Sequence, residues 1–330
     1  MTTESREVHL SSRPVGIPKV GDFELVTTQL PEPASGEVLV QNIYMSVDPY
    51  MRGRMRDGWE LGQVMDGGAL GKVIESNNDR FKAGDYVSGS RGWREYFISD
   101  GRGLAQIDTT LAPLTSYLGA MGGTGLTAYG GLLVTGQLKE GETVFVSAAA
   151  GAVGSVVGQI AKIKNCRVIG SAGSDSKVAY LMDEFHFDHA FNYKTANILD
   201  ELQKGVPDSI DVYFENVGGP QLQAALQHMR PLGRIPICGM IAHYNDTTPT
   251  PGPTNLTAMI YNRITMKGFI ATEFMNIQDE FRAEMGAWIR EGKIKYQETI
   301  SEGIEQAGSA FIGLFSGDNE GKMLVKLAEE

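Results

Sequence analysis

Cysteine is nearly missing from this 330-residue chain, which holds only Cys166 and Cys238. Each lies in an apolar, strand-like run, so both read as core residues of a reducing compartment, and two thiols cannot build a cysteine-rich metal site. The histidines, His9, His186, His189, His228 and His243, are scattered without ligand spacing. Basic clusters are also lacking. A formal charge of −11 and a pI near 5.0 argue against nucleic acid or an anionic membrane as the main partner. The N-terminal stretch Met1-Thr2-Thr3-Glu4-Ser5-Arg6-Glu7 has no apolar centre of the kind a secretory signal needs, so a cytoplasmic location is expected. Repeats and low-complexity tracts are absent. The nearest is Thr247-Thr248-Pro249-Thr250-Pro251-Gly252-Pro253, a candidate rigid loop.

With 42% hydrophobic residues, the chain can bury a large core, and its length suggests two domains. Residues 143–177 read as strand, glycine-bearing turn, helix and strand, the order of a dinucleotide-binding βαβ unit. Thr143-Val144-Phe145-Val146-Ser147 has the composition of a buried parallel strand and runs into Ala148-Ala149-Ala150-Gly151-Ala152-Val153-Gly154. A helix is expected over about residues 155–164. Small residues at the turn let backbone N–H groups approach a pyrophosphate, whose charge is favoured at the helix N-terminus. Gly154 would let the helix lie close to the strands, while Ala149 stands where the motif G-x-G-x-x-G has its first glycine. The stretch 143–161 carries no charge, and Gly154 and Gly158 form the G-x-x-x-G pair of membrane helices. Three glycines, two serines and a strand-like start would make a poor spanning helix, and no second long apolar run exists.

Up to about residue 120 the pattern is short strands with turn signals, at Val38-Leu39-Val40-Gln41-Asn42, Leu70-Gly71-Lys72-Val73-Ile74, Tyr86-Val87-Ser88 and Glu95-Tyr96-Phe97-Ile98. From Gly123 onward, helices alternate with apolar strands at Val168-Ile169, Ala190-Phe191, Ile210-Asp211-Val212-Tyr213-Phe214, Ile235-Pro236-Ile237 and Met266-Lys267-Gly268-Phe269. The expected class is α/β: a Rossmann doubly wound parallel sheet plus a smaller, mostly β domain. Beyond the amphipathic stretch 280–290, Lys322-Met323-Leu324-Val325-Lys326-Leu327 reads as a strand returning to the first domain. Ligand is expected outside the carboxyl ends of the parallel strands.

Together, several segments resemble the medium-chain dehydrogenase/reductase superfamily: the 148–154 turn, and Phe81-Lys82-Ala83-Gly84-Asp85-Tyr86-Val87 before a strand. A closer resemblance is to the zinc-independent, NADPH-dependent double-bond reductases, which include prostaglandin, alkenal and curcumin reductases. It rests on Asp48-Pro49-Tyr50-Met51-Arg52-Gly53-Arg54-Met55, Gly173-Ser174-Asp175-Ser176-Lys177, Phe191-Asn192-Tyr193-Lys194-Thr195, Glu215-Asn216-Val217-Gly218-Gly219, Cys238-Gly239-Met240-Ile241-Ala242-His243-Tyr244-Asn245 and Gly317-Asp318-Asn319-Glu320-Gly321-Lys322, spread over nearly the whole chain. Zinc alcohol dehydrogenases carry a cysteine, a Gly-His-Glu segment and a four-cysteine lobe where this chain has Met45-Ser46-Val47-Asp48, Asp66-Gly67-Gly68-Ala69 and Ser88-Gly89-Ser90-Arg91-Gly92-Trp93. No metal is expected. The resemblance implies a GroES-like catalytic domain at residues 1–122 and 293–330 and a Rossmann domain at 123–292.

An NAD-preferring site usually ends its second strand in a carboxylate, about 20 residues beyond the glycines. Here that strand ends Gly170-Ser171-Ala172-Gly173, with Lys177 just inside the next helix. Bare sequence also allows Asp175 as a helix N-cap and Lys177 as a solvated helix residue. The resemblance instead places Lys177 and Tyr193 on a 2′-phosphate, implying NADPH. It extends the cofactor set to Gly151, Ala152, Val153, Gly154 and Gly173, then to Asn216, Cys238, Gly239, Ile241 and Tyr244. Phe269, Ile270, Ala271 and Asn319 complete the set, with Met121 and Thr124 against the nicotinamide at the domain junction; these two read equally as packing residues at a helix start.

Hydride addition to the β-carbon of an unsaturated carbonyl leaves an enolate, which a positioned hydroxyl can hold. Tyrosine remains a donor at neutral pH. Among twelve tyrosines the resemblance singles out Tyr261 for the substrate carbonyl and Tyr50 for the pocket; without it, Tyr261 reads as an ordinary half-buried aromatic and Tyr50 as part of a turn after Pro49. The 245–255 loop is a candidate cover for the substrate. The expected activity is NADPH-dependent reduction of conjugated enones and enals. A quinone reductase shares the Ala-Ala-x-Gly-x-x-Gly turn but not, as a rule, the D-P-Y-M-R and E-N-V-G-G segments. A non-catalytic NADPH-binding protein is opposed by Tyr261 standing beside a complete cofactor set. A homodimer is expected, because family members pair the edge strand near Ile264-Thr265-Met266-Lys267-Gly268-Phe269 across a two-fold axis.

Overall fold

The computed structural model describes residues 2–206 and 208–330; Met1, the first residue of the N-terminal stretch, and Pro207 lie outside the described residues. In chain order the first strands are β1 (Thr3–Leu10), β2 (Phe23–Leu30), β3 (Val38–Ser46), β4 (Ala69–Ser76), β5 (Tyr86–Gly89), β6 (Tyr96–Ser99) and β7 (Ala105–Gln106), with helix α1 (Met51–Asp57) between β3 and β4. The middle of the chain holds α2 (Gly123–Gly130), β8 (Thr143–Val146), α3 (Gly154–Ile163), β9 (Arg167–Ala172), α4 (Asp175–Asp183), β10 (His189–Asn192), α5 (Ile198–Gly205) and β11 (Ile210–Phe214). It continues with α6 (Gly219–His228), β12 (Met229–Ile237), α7 (Ala258–Asn262), β13 (Thr265–Gly268) and α8 (Gln278–Arg290). The tail is β14 (Glu298–Glu302), α9 (Ala307–Ser316) and β15 (Lys322–Lys326).

Two compact units result. The first contains the chain up to Leu118 with residues 298–319 and 323–330; the second contains residues 119–297 and 320–322. In the first, β14-β15-β3-β4-β5-β7 form one sheet, and β6 also pairs with β3. The tail strand β15 runs antiparallel to β3, Leu324 opposite Ser46. Nearly every residue of β3 is buried, which explains an apolar run with almost no alternation. Trp93 is fully buried, stacked 5.9 Å from Phe23 and edge-on to Phe311 at 6.3 Å. At Gly67 a Cβ would come within 2.5 Å of Met51 Cε and 3.3 Å of Trp93 Nε1. Core side chains therefore fill the space beside Gly67.

The second unit is a six-stranded sheet in the order β10-β9-β8-β11-β12-β13, parallel throughout. All five residues of β11 are buried, and Phe145 stacks on Tyr213 at 4.8 Å. Helix α3 is only ten residues long. Its Gly154 and Gly158 serve packing: a Cβ on Gly154 would overlap Ala148 O and lie 2.9 Å from Ala149 Cα, and one on Gly158 would overlap the Phe187 ring. No helix among the described residues is long and apolar enough to cross a membrane. Strand order reverses between β8 and β11, and the crevice outside their carboxyl ends is where such sheets bind ligand.

Candidate active site

The turn after β8 is tighter than its glycine count suggests. Ala148 takes the left-handed conformation at φ 49°, the Ala149 N–H donates to Ser171 O at 2.8 Å, and the Gly151 N–H donates to Ala148 O at 3.0 Å. At Gly151 a Cβ would meet nothing within 4 Å except Ala148 O at 3.2 Å, so open backbone, including Ala152 and Val153, leads into the first turn of α3. The Gly321 N–H closes on Ala150 O at 3.1 Å. Asn319, two residues earlier, is half-buried and belongs to the first unit.

At the end of β9, the N-cap of α4 is Ser174, whose hydroxyl accepts from the Lys177 N–H at 3.3 Å. Asp175 is therefore the first helical residue rather than the cap, because Ser174 has the extended backbone a cap requires. The Asp175 carboxylate accepts from Asn192 Nδ2 at 2.8 Å, which ties it to the end of β10. The Tyr193 N–H donates to Ala172 O at 3.1 Å, and a Cβ on Gly173 would lie 3.3 Å from the Tyr193 hydroxyl. Gly173 and Tyr193 thus meet beside the first turn of α4, which carries half-buried Lys177.

On the other side of the reversal, β11 and β12 end in two interlocked loops. The Cys238 and Gly239 N–H groups donate to Glu215 O at 2.9 and 3.1 Å, and the Ile241 N–H donates to Asn216 O at 3.2 Å. A Cβ on Gly239 would stand 2.9 Å from the Tyr244 hydroxyl, so the tyrosine packs against the bare Cα of this position. Burial, with Glu215 nearby, pushes the Cys238 thiol up to about 12, although the residue keeps partial exposure. Burial raises the Tyr244 phenol as well.

Other candidates divide between packing and open surface. Met121 is buried, and the Thr124 hydroxyl donates to Gly119 O at 2.9 Å. Phe269 is packed 6.0 Å from Phe214 and 5.5 Å from Phe274, leaving only its backbone for a ligand, whereas Ile270 is exposed and Ala271 starts a short 3-10 turn. Tyr261, on α7, is 81% exposed and lines an open groove of about 480 Å³ with Gln223, Gln227, Thr254 and Asn255. Its hydroxyl makes no hydrogen bond with the described residues. The 245–255 loop is tied at both ends: Asp246 Oδ2 contacts the His243 ring at 3.0 Å, and Asn255 Nδ2 donates to Gln223 O on α6 at 2.9 Å. In the first unit, Tyr50 sits just ahead of α1. Desolvation, then the Asp48 carboxylate, raises its phenol above the ordinary range. Arg54 on the same helix makes a two-pronged pair with Asp66 and lies 4.7 Å over the Trp59 ring.

Among the described residues, no group of three or more His, Cys, Asp or Glu side chains is placed to hold a metal ion. Residues 6–107 match a family model described as the N-terminal domain of oxidoreductase, and residues 152–291 match one described as zinc-binding dehydrogenase. The chain is 47% identical to prostaglandin reductase 1 of Rattus norvegicus, over 94% of this chain and 95% of that protein. It is 43% identical to the NADP(+)-dependent 2-alkenal reductase of Nicotiana tabacum, over 99% and 98%. The chain belongs to the double-bond reductase branch of the medium-chain dehydrogenase/reductases. The crystal structure of CurA from Vibrio vulnificus in complex with NADPH superimposes with a TM-score of 0.93 at 42% identity, covering 98% of this chain and 100% of that one. The residues present fit such a cofactor: open backbone at Gly151, a helix N-terminus behind it, and no free carboxylate at the end of β9. Reading the residues alone left out Ser147, Ser174 and the acceptor role of Glu215. Ser174 was detectable as a cap residue ahead of a helix; Ser147 and Glu215 are joined by a hydrogen bond between residues far apart in sequence, which leaves no local pattern.

Proposed function

We propose that this protein is an NADPH-dependent ene-reductase that reduces the conjugated C=C bond of α,β-unsaturated ketones and aldehydes. The observation that carries the reading is its full-length similarity to proteins named for alkenal and prostaglandin reduction. NADPH, when bound, supplies a hydride for the β-carbon. Ala152, Val153 and Gly154 would hold the pyrophosphate with backbone N–H groups at the start of α3, and Gly151, without a side chain, would give it room. Lys177 and Tyr193 take the 2′-phosphate by charge and hydrogen bonding, and the hydrogen bond from Asn192 keeps the Asp175 carboxylate engaged elsewhere. Tyr261 donates its hydroxyl proton in a hydrogen bond to the substrate oxygen as enolate charge develops. The α-carbon takes its proton from solvent. Tyr50 shapes the substrate pocket as a neutral hydrogen-bond donor, the ordinary state of a tyrosine at physiological pH.

The first unit serves as the catalytic, GroES-like domain and the second as the dinucleotide-binding domain. The protein works in the cytoplasm as a homodimer: among the described residues β13 pairs with β12 alone and is flanked by exposed Ile260, Tyr261, Ile270 and Met275, an edge that a second copy would cover. Light scattering at micromolar concentration should give twice the 35.8 kDa chain mass; a monomer mass would refute the dimer. NADPH oxidation assayed against alkenals, aryl enones, 15-keto prostaglandins and quinones tests the activity. Turnover of enones or enals supports the reading, turnover of quinones alone makes the protein a quinone reductase, and stoichiometric NADPH binding without any turnover makes it a binding protein.

A further inference from the structure

Glu215 is fully buried at the carboxyl end of β11, and the mechanism above gives it no part. One carboxyl oxygen, Oε1, accepts from the Ser147 hydroxyl at 2.9 Å, the Val217 N–H at 2.6 Å and the Gly218 N–H at 2.9 Å. The Ser147 hydroxyl in turn accepts from the Asn216 N–H at 2.9 Å, and Asn216 Nδ2 donates to Ser147 O at 2.7 Å. The Glu215 carbonyl receives the Cys238 and Gly239 N–H groups. A single residue therefore fastens the ends of β8, β11 and β12 to one another. The buried Tyr213 hydroxyl lies beside the same carboxyl group and interacts with it, so the carboxyl is enclosed on all sides.

The sheet assigns the two cofactor halves different supports. By the switch-point rule the adenosine half would lie over β8, β9 and β10, where Lys177 and Tyr193 stand, and the nicotinamide half over β11 and β12. We propose that Glu215, with Ser147 as its relay, is a positioning residue for the nicotinamide half of the cofactor, acting through the 216–218 and 238–242 loops and leaving the adenosine half untouched. This inference rests on the NADPH reading above.

The test uses two probes on the whole chain: NADPH, which spans both halves, and adenosine 2′,5′-bisphosphate, which fills only the adenosine half. In Glu215→Ala the dissociation constant for NADPH should rise tenfold or more, while that for the bisphosphate stays within twofold. Glu215→Gln, whose amide oxygen can accept the same three donors, should recover most of the NADPH affinity. If Glu215→Ala does not fold, Ser147→Ala decides, with an expected three- to tenfold loss confined to NADPH. Equal losses for both probes, or no loss in either variant, would overturn the positioning role. Wild-type protein that binds neither probe would instead overturn the NADPH reading.

Discussion

Replacing Gly154 with alanine places a methyl group against Ala148 O and 2.9 Å from Ala149 Cα. Both obstacles are backbone atoms of a turn held by the Ala149-to-Ser171 hydrogen bond, so neither can swing aside as a side-chain tip would. Helix α3 must move outward or the turn must open. Overpacking of this kind costs about 1–3 kcal/mol, and alanine recovers less than the roughly 1 kcal/mol it gains in a helix interior, because residue 154 is the first helical position. A net loss of about 2 kcal/mol should lower Tm by roughly 4–8 °C for a unit of this size. NADPH affinity should fall too, since the helix N-terminus moves with the turn. The control is Gly151→Ala, where the new methyl meets only Ala148 O at 3.2 Å. It should change stability by no more than about 0.5 kcal/mol yet weaken NADPH roughly tenfold, about 1.4 kcal/mol, by filling the surface a pyrophosphate needs. Thermal unfolding and fluorescence titration measure both quantities. A Gly154→Ala protein as stable as the wild type would falsify the close-packing argument, and a Gly151→Ala protein with undiminished affinity would remove the turn from the cofactor site.

Lys177→Ala should weaken NADPH by about 1.5–3 kcal/mol, the scale of a hydrogen bond to a charged group, and leave NADH nearly unchanged; equal losses for both would make Lys177 structural. Tyr261→Phe keeps the ring and deletes the hydroxyl, so kcat for an enone should fall roughly 10- to 1,000-fold with little change in NADPH binding. Unaltered turnover, with a deuteride isotope effect showing chemistry to be rate-limiting, would exclude Tyr261 from the reaction. The Cys238 thiol, pushed up to about 12, and the buried Cys166, also raised, should both remain thiols at neutral pH. Because the thiolate is the reactive form, alkylation by iodoacetamide should be slow in native protein at about pH 8 and accelerate as the pH climbs toward the raised value. Rapid labelling of either cysteine at neutral pH would contradict that environment.

Much of the fold follows from local pattern. The buried run of β11, the uncharged βαβ stretch and the apolar tail strand are legible because sheet strands covered on both faces cannot alternate in polarity. Gly154 could be assigned to close helix packing because only a residue without Cβ permits it. Tertiary structure decided what depends on partners distant in sequence. Gly158 and Gly170 make room for one ring, Phe187, and no spacing rule connects them. The left-handed position of the dinucleotide turn fell on Ala148 rather than on a glycine, since the hydrogen bond to Ser171 outweighs the local cost. Ser174 capped α4 in place of Asp175, having the extended backbone of a cap, while Asn192, brought alongside by the β9–β10 pairing, engages the Asp175 carboxylate. The strand order, the burial of Glu215 and the exposure of Tyr261 likewise arise only when strands far apart in the chain lie side by side. Residue type therefore determined what chemistry each position could offer, while topology decided which of those groups meet.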